Sequence, residues 1–302
     1  MPVSRSPKLT LTGFLFAITM CFAFSSQPAM AETVTTTRHC QAEVCCCSKC
    51  YVSGGWDVIE SGNFRVFHIG QANVAKQLVT DCEQQRWSLQ KRWLHSAQQV
   101  AWTPKCDVYC YPTGRDYARL TKYPAESWGH VDLEIGDGKV WRRRLNIRTD
   151  IASRLALVAA HELTHVVLAD AFCTKQIPRW ADEGIAVQSE PSGRRHELRR
   201  KLSDSLAQGR RFSLQELTSA ANYPNDPVLT ELFYAQSGAW VEYLTARKKV
   251  SGAQLLKIVS GISAQGLNAT VREHFQGTSV SELEADWKAW MSDRQELLAE
   301  NP

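Results

Sequence analysis

The stretch that decides the fold is "IASRLALVAAHELTHVVLADAF", residues 151–172. It holds neither Gly nor Pro and is apolar on nearly all sides, the pattern of a helix buried in a core rather than laid on a surface. Asp150, just before it, is the expected N-cap. On a helix, residues four apart differ by about 40° in direction, so His161 and His165 share a face one turn apart. Two imidazoles and the Glu162 carboxylate are costly in such a core unless they are hydrogen-bonded or hold an ion. The five letters "HELTH" form the HExxH pattern, in which two histidines bind zinc and the glutamate serves as base toward a water. Taken alone the pattern recurs by chance, and an ordinary helix with two histidines is its bland alternative.

A catalytic zinc site takes three protein ligands and keeps its fourth position open. Downstream, "IPRWADEGIAVQSE" supplies Glu183, eighteen residues after His165. Pro178 breaks the chain there, and a second helix starting near Trp180 would bring Glu183 back to the first. Asp170 is the rival third ligand. Nine residues past His161 amounts to about 900° of rotation, which turns Asp170 away from the histidines. Asp182 is placed to support a histidine from behind.

Together, "HELTH" and "RWADEGIA" resemble the gluzincin metallopeptidases, whose W-x-x-E-G-x-A helix carries the glutamate ligand; the aminopeptidase N family has a similar W-L-N-E-G-F-A. The short chain and compact spacing look more like peptidase MA-like domain proteins, many of them exported bacterial proteins. The resemblance covers about residues 150–245, and "SVSELEADWKAW" more loosely. It implies Zn²⁺ held by His161, His165 and Glu183, with Glu162 moving the proton. In aminopeptidase N relatives a tyrosine before a Gly-Ala stretch opens a later helix and steadies the oxyanion. "FYAQSGAWVEYL" is similar and puts Tyr234 there, with Gly238 one residue further along; a helix-packing tyrosine is the alternative. The chain lacks the G-x-M-E-N segment that holds a free amino terminus, which favours an endopeptidase or an unusual exopeptidase. The resemblance also implies that a substrate peptide adds as a strand to an exposed sheet edge, and "VWRRRLNIR" is placed to be that edge. His130 reads as a loop histidine.

The expected fold class is α+β. A small α/β lobe over 51–148 precedes a helical zincin-type lobe over 149–302. In the first lobe "WDVIESGNFRVFH" alternates and turns at Ser61-Gly62-Asn63, a hairpin pattern. Residues 71–97 show helical spacing, 106–111 reads as a strand, and a loop rich in Pro and Gly follows. Helices are expected at 181–190, 194–208, 213–220, 229–247, 252–260 and 281–299.

Residues 1–31 read as an export signal: Arg5 and Lys8, then "LTLTGFLFAITMCFAF", then "AMA" with cleavage after Ala31. A lipid anchor at Cys21 is disfavoured by bulky Met20. Losing Arg5 and Lys8 takes the net charge from +4 to +2, too little to argue for nucleic acid or a membrane surface. No later segment is apolar for long enough to span a membrane. Of ten cysteines, Cys40, Cys45, Cys46, Cys47 and Cys50 crowd into eleven residues of the segment 32–50, which in an oxidising compartment suggests a disulfide knot. Beside His39 a metal site is the alternative. Cys106 and Cys110, some 13 Å apart on a strand, cannot bridge each other and are expected to reach Cys82 or the cluster. An odd count of nine in the mature chain leaves one thiol free or joined to another chain. The expected whole is an exported zinc metallopeptidase acting on a peptide or protein. Its rivals are a non-catalytic zinc-binding peptide-binding module and a disulfide-tethered cell-envelope protein.

Overall fold

The computed structural model describes residues 9–14, 49–96 and 100–299. Their contacts form two compact units, Met1–Gln90 with Ser96–Gln176 and Lys91–His95 with Ile177–Pro302. The architecture is α+β, a sheet followed by helices.

The first unit is built on a seven-stranded mixed sheet. Its strands are β1 (Leu9–Phe14), β2 (Lys49–Ser53), β3 (Trp56–Glu60), β4 (Phe64–His68), β5 (Cys106–Tyr111), β6 (Gly129–Gly136) and β7 (Lys139–Arg148). They lie in the order β1-β6-β7-β5-β4-β3-β2. The β4–β5 and β5–β7 pairs are parallel and the others antiparallel. The expected hairpin at 56–68 is present. Its turn is pinned to the following helix, because the Glu83 carboxylate accepts from Ser61 Oγ (2.7 Å), Asn63 N (2.8 Å) and Asn63 Nδ2 (2.7 Å). Two further hairpins escaped the sequence reading. Gly54 and Gly55 (φ 56° and 81°) join β2 to β3, so Cys50 lies in a strand, and Asp137 and Gly138 (φ 52° and 70°) join β6 to β7. Both are two-residue turns with positive φ at each position, the geometry that matches strand twist.

The β6–β7 hairpin overturns one expectation. "VWRRRLNIR" is interior to the sheet, flanked by β5 and β6, and is not its edge. The physical reason is the alternation in "GHVDLEIG", whose Val131, Leu133 and Ile135 are buried and so lay β6 along β7. The neighbouring α2 (Gly114–Thr121) was likewise read as loop; Thr113 caps it, accepting from Asp116 N at 3.1 Å.

Two longer helices cover the sheet. α1 (Ala72–Leu89) packs on β3 and β4 and runs on as a π-helical turn over Gln90–Leu94; α3 (Ala152–Leu168) packs on β6, β7 and α1. The helix α3 therefore groups with the sheet rather than with the helices that follow. Every residue from Leu157 to Leu168 is buried, as an all-round apolar helix requires. Its N-cap is Ile151 and not Asp150, whose carboxylate is held by Arg148 at 3.0 and 2.8 Å.

Cys106, Val108 and Cys110 point to one side of β5, and the thiols of Cys106 and Cys110 share one buried region with that of Cys82 on α1. These three cysteines are reduced, so the expected bridge to Cys82 is not formed. Burial raises all three thiols, Cys110 to about 12, and keeps them protonated. Cys40, Cys45, Cys46 and Cys47, like most of the expected export signal, lie outside the described residues.

The second unit holds α4 (Arg179–Val187), α5 (Ser192–Ala207), α6 (Leu214–Ser219), α7 (Pro227–Glu242), α8 (Gly252–Gln265), α9 (Leu267–His274) and α10 (Val280–Ala299). Helix α7 is central, packing against α4 and α5. It starts where the chain can start a helix, with Pro227 in the first turn and Asp226 as N-cap accepting from Leu229 N at 2.9 Å. Helix α9 was not expected; Gly266 (φ 83°) ends α8 and turns the chain into it.

Candidate functional site

On α3, His161 and Glu162 are fully buried and His165 is 1% exposed. The imidazole centroids are 5.0 Å apart, as one-turn spacing on a helix dictates. The helix is seated against the sheet at Gly129. A Cβ there would lie 2.6 Å from Val158 Cγ1, 2.8 Å from the Asn146 carbonyl oxygen and 3.8 Å from Glu162 Cγ. The absent side chain thus lets β6 approach α3 beside Glu162.

Glu183 sits in the middle of α4, entered through Pro178 as the broken sequence suggested. Trp180, Asp182 and Glu183 are all fully buried. Two glycines fix α4 against α7. A Cβ on Gly184 would come within 2.6 Å of the Ser237 carbonyl oxygen, and one on Gly238 within 2.6 Å of Val187 Cγ1. Beyond the end of α4, Gln188 Nε2 donates to the Gly238 carbonyl at 2.8 Å.

His161, His165 and Glu183 form the group of metal-ligating side chains found among the described residues. One ligand atom from each lies within 4.8 Å of the other two. Two neutral-capable imidazoles and one carboxylate, all buried, are the donor set of a three-ligand zinc centre, so these residues fit such an ion. Asp170 is elsewhere. It lies past the end of α3, accepts from Trp102 Nε1 at 2.7 Å and pairs with Arg143. Asp182 Oδ2 lies 4.0 Å from Arg179 Nη1.

Tyr234 lies in the body of α7 and does not open a helix, contrary to the pattern that suggested it. Its ring stacks on Tyr223 with centroids 5.8 Å apart and 11° between planes. Tyr223 is the residue the sequence reading missed. Its hydroxyl donates to Glu183 Oε1. Phe233 meets the ring edge-on at 6.2 Å, and the Arg179 guanidinium lies over it at 5.2 Å. Burial, then the Glu183 charge, raises the phenol well above its ordinary range, so it stays a donor. Its only sequence signal was an aromatic directly before a proline in "YPNDP", read as a connection.

His130 is on strand β6, not in a loop, and is 1% exposed. Its Nδ1 lies 2.5 Å from Tyr117 Oη and its Nε2 3.0 Å from Asn146 Nδ2 and 3.5 Å from Asp132 Oδ2. Tyr123 stacks on the ring at 3.8 Å. Burial and, next, the Glu162 charge raise the Tyr117 phenol, so this network borders the Glu162 region with its proton in place.

The family model described as Peptidase MA superfamily matches residues 94–293, about two thirds of the chain, a span that takes in α3, α4 and α7. The chain belongs to that superfamily. No match was found among the curated proteins.

Proposed function

We propose that this member of the Peptidase MA superfamily is an exported zinc-dependent peptidase. The observation that carries the reading is the buried grouping of His161, His165 and Glu183, with Glu162 one residue along the same helix. His161 and His165 of α3 and Glu183 of α4 would hold the ion. Zinc, when bound, lowers the pKa of a water to about 7 and polarises the scissile carbonyl.

The chain's own groups do the rest. Glu162 takes the proton of the attacking water and then delivers it to the leaving amine, a general base that turns general acid. Tyr234 donates to the oxyanion, its ring orientation set by the stack on Tyr223. The substrate is a peptide or protein whose main chain adds to a sheet edge. That edge is β6, the strand beside Glu162. In the full chain Leu9–Phe14 pairs with it antiparallel, from Leu9 opposite Ile135 to Phe14 opposite His130. Export with cleavage after Ala31 removes this segment and frees the edge. No helix of the described residues is long and apolar enough to cross a membrane.

The test is zinc content and peptide turnover of the mature chain beside its Glu162→Gln form. The expected result is about one zinc in each and a turnover loss of about 10²–10⁴-fold in the variant. Normal turnover in Glu162→Gln would remove the peptidase assignment, and full zinc occupancy after His161→Ala with His165→Ala would remove the metal assignment.

A further inference from the structure

Glu183 is expected to meet the metal through one oxygen, and a carboxylate has two. Left to itself in a buried site, a glutamate can turn both oxygens toward one cation, which adds a ligand and closes the open position that a reaction needs. The structure shows one of the two already engaged. Tyr223 Oη donates to Glu183 Oε1, and the phenol is in turn held on three sides by Tyr234, Phe233 and the Arg179 guanidinium. No helix carries Tyr223; it lies between α6 and α7, where Thr230 Oγ1 closes the loop by donating to the Pro224 carbonyl at 2.7 Å.

We propose that Tyr223 is the positioning residue of this site, holding Glu183 to a single metal-facing oxygen and thereby keeping the coordination number low. The inference rests on the reading of Glu183 as a zinc ligand. Three features support it. The hydrogen bond is to the ligand residue itself, spans forty residues of sequence, and is made by a loop side chain with no helical register to explain its location. The ring stack with Tyr234 also ties the ligand's partner to the phenol proposed for the oxyanion, so one aromatic pair serves both groups.

The variant Tyr223→Phe removes the hydroxyl and leaves the ring stack. The experiment uses the mature chain with zinc, and separately with Co²⁺ as a visible reporter of coordination number. Zinc affinity, measured by competition with a chromogenic chelator, is expected to fall about 10- to 100-fold, the usual effect of losing a hydrogen bond to a metal ligand. The visible bands of the Co²⁺ form are expected to weaken, because Glu183 then supplies both oxygens and raises the coordination number. Tyr234→Phe is the matched control and keeps the wild-type Co²⁺ spectrum. An unchanged affinity and spectrum in Tyr223→Phe would overturn the proposal while leaving the zinc site standing. A metal-free Tyr223→Phe chain melting well below the wild type would overturn it too, by making the phenol a packing group. A wild-type chain that binds neither ion would instead overturn the underlying assignment of Glu183.

Discussion

Replacing Gly129 with alanine tests whether the seating of α3 on β6 sets the position of Glu162. The new Cβ would lie 2.6 Å from Val158 Cγ1 and 2.8 Å from the Asn146 carbonyl oxygen, where ordinary contact begins at 3.4 Å. The deficits are therefore about 0.8 and 0.6 Å. Val158 cannot yield by a rotamer change alone, since it is 1% exposed inside packed surroundings, and the Asn146 oxygen belongs to the backbone of β7. Helix and strand must separate by most of that distance. Overpacking of this kind costs about 1–3 kcal/mol, a Tm loss of roughly 5 °C for a chain of this size. Glu162, one turn beyond Val158, moves with the helix, and a displacement approaching 1 Å at a proton-transfer group costs up to about 10²-fold in turnover. Both histidines ride on α3 together, so zinc should stay bound. The assay is thermal melting, zinc content and peptide turnover of Gly129→Ala. The control is Gly193→Ala, in α5, where nothing lies within 4 Å of the added carbon. An unchanged Tm and turnover in Gly129→Ala would refute the reasoning.

Glu183→Ala should lose zinc outright in metal analysis, because two protein ligands remain where three are usual. Tyr234→Phe should keep zinc and lower kcat by roughly 10²-fold, the scale of one oxyanion donor. Asp170→Ala should keep zinc and turnover but melt lower, since buried Arg143 loses its ion-pair partner, at a cost of about 3 kcal/mol, and keeps only the Pro104 carbonyl and the Trp102 ring; loss of zinc there would restore Asp170 as a ligand. Cys82, Cys106 and Cys110 should resist a thiol reagent at pH 8 until the chain is unfolded, because burial keeps each thiol protonated; mass spectrometry that found them already bridged would contradict their reduced state.

The parts of the site that were legible in the sequence are those fixed by local periodicity. His161, Glu162 and His165 follow from one apolar helix with a four-residue spacing, whereas Asp170, counted as part of that helix, lies past its end at Leu168. Glu183 was reachable because Pro178 and the W-x-x-E-G pattern mark a second helix at a defined remove. What failed was the use of glycine as a loop signal. Gly129 permits contact between a strand and a helix, and Gly114 would put a Cβ 2.7 Å from the Ala125 carbonyl oxygen, so neither marks a turn. Reading the stretch after 106–111 as a loop rich in Pro and Gly hid α2 and β6, and with β6 hidden nothing placed a strand beyond β7. Tyr223 was out of reach for a different reason. Its bond to Glu183 joins a loop to a helix forty residues away, and no short-range pattern encodes that distance.

The contact of α4 with α7 has a consequence for the entropy of metal capture. Gly184 adjoins Glu183 and meets the Ser237 backbone directly, while Gly238 meets Val187 one turn further along α4. A joint made largely of backbone has few rotatable bonds with which to drift. The freedom left to the ligand carboxylate is then that of its own side chain, which ordinarily loses up to about 2 kcal/mol of rotamer entropy when fixed. Much of that loss is incurred when the chain folds, because Glu183 is already fully buried and bonded to Tyr223. An arriving ion therefore meets a carboxylate whose disorder has already been spent, and its affinity gains accordingly.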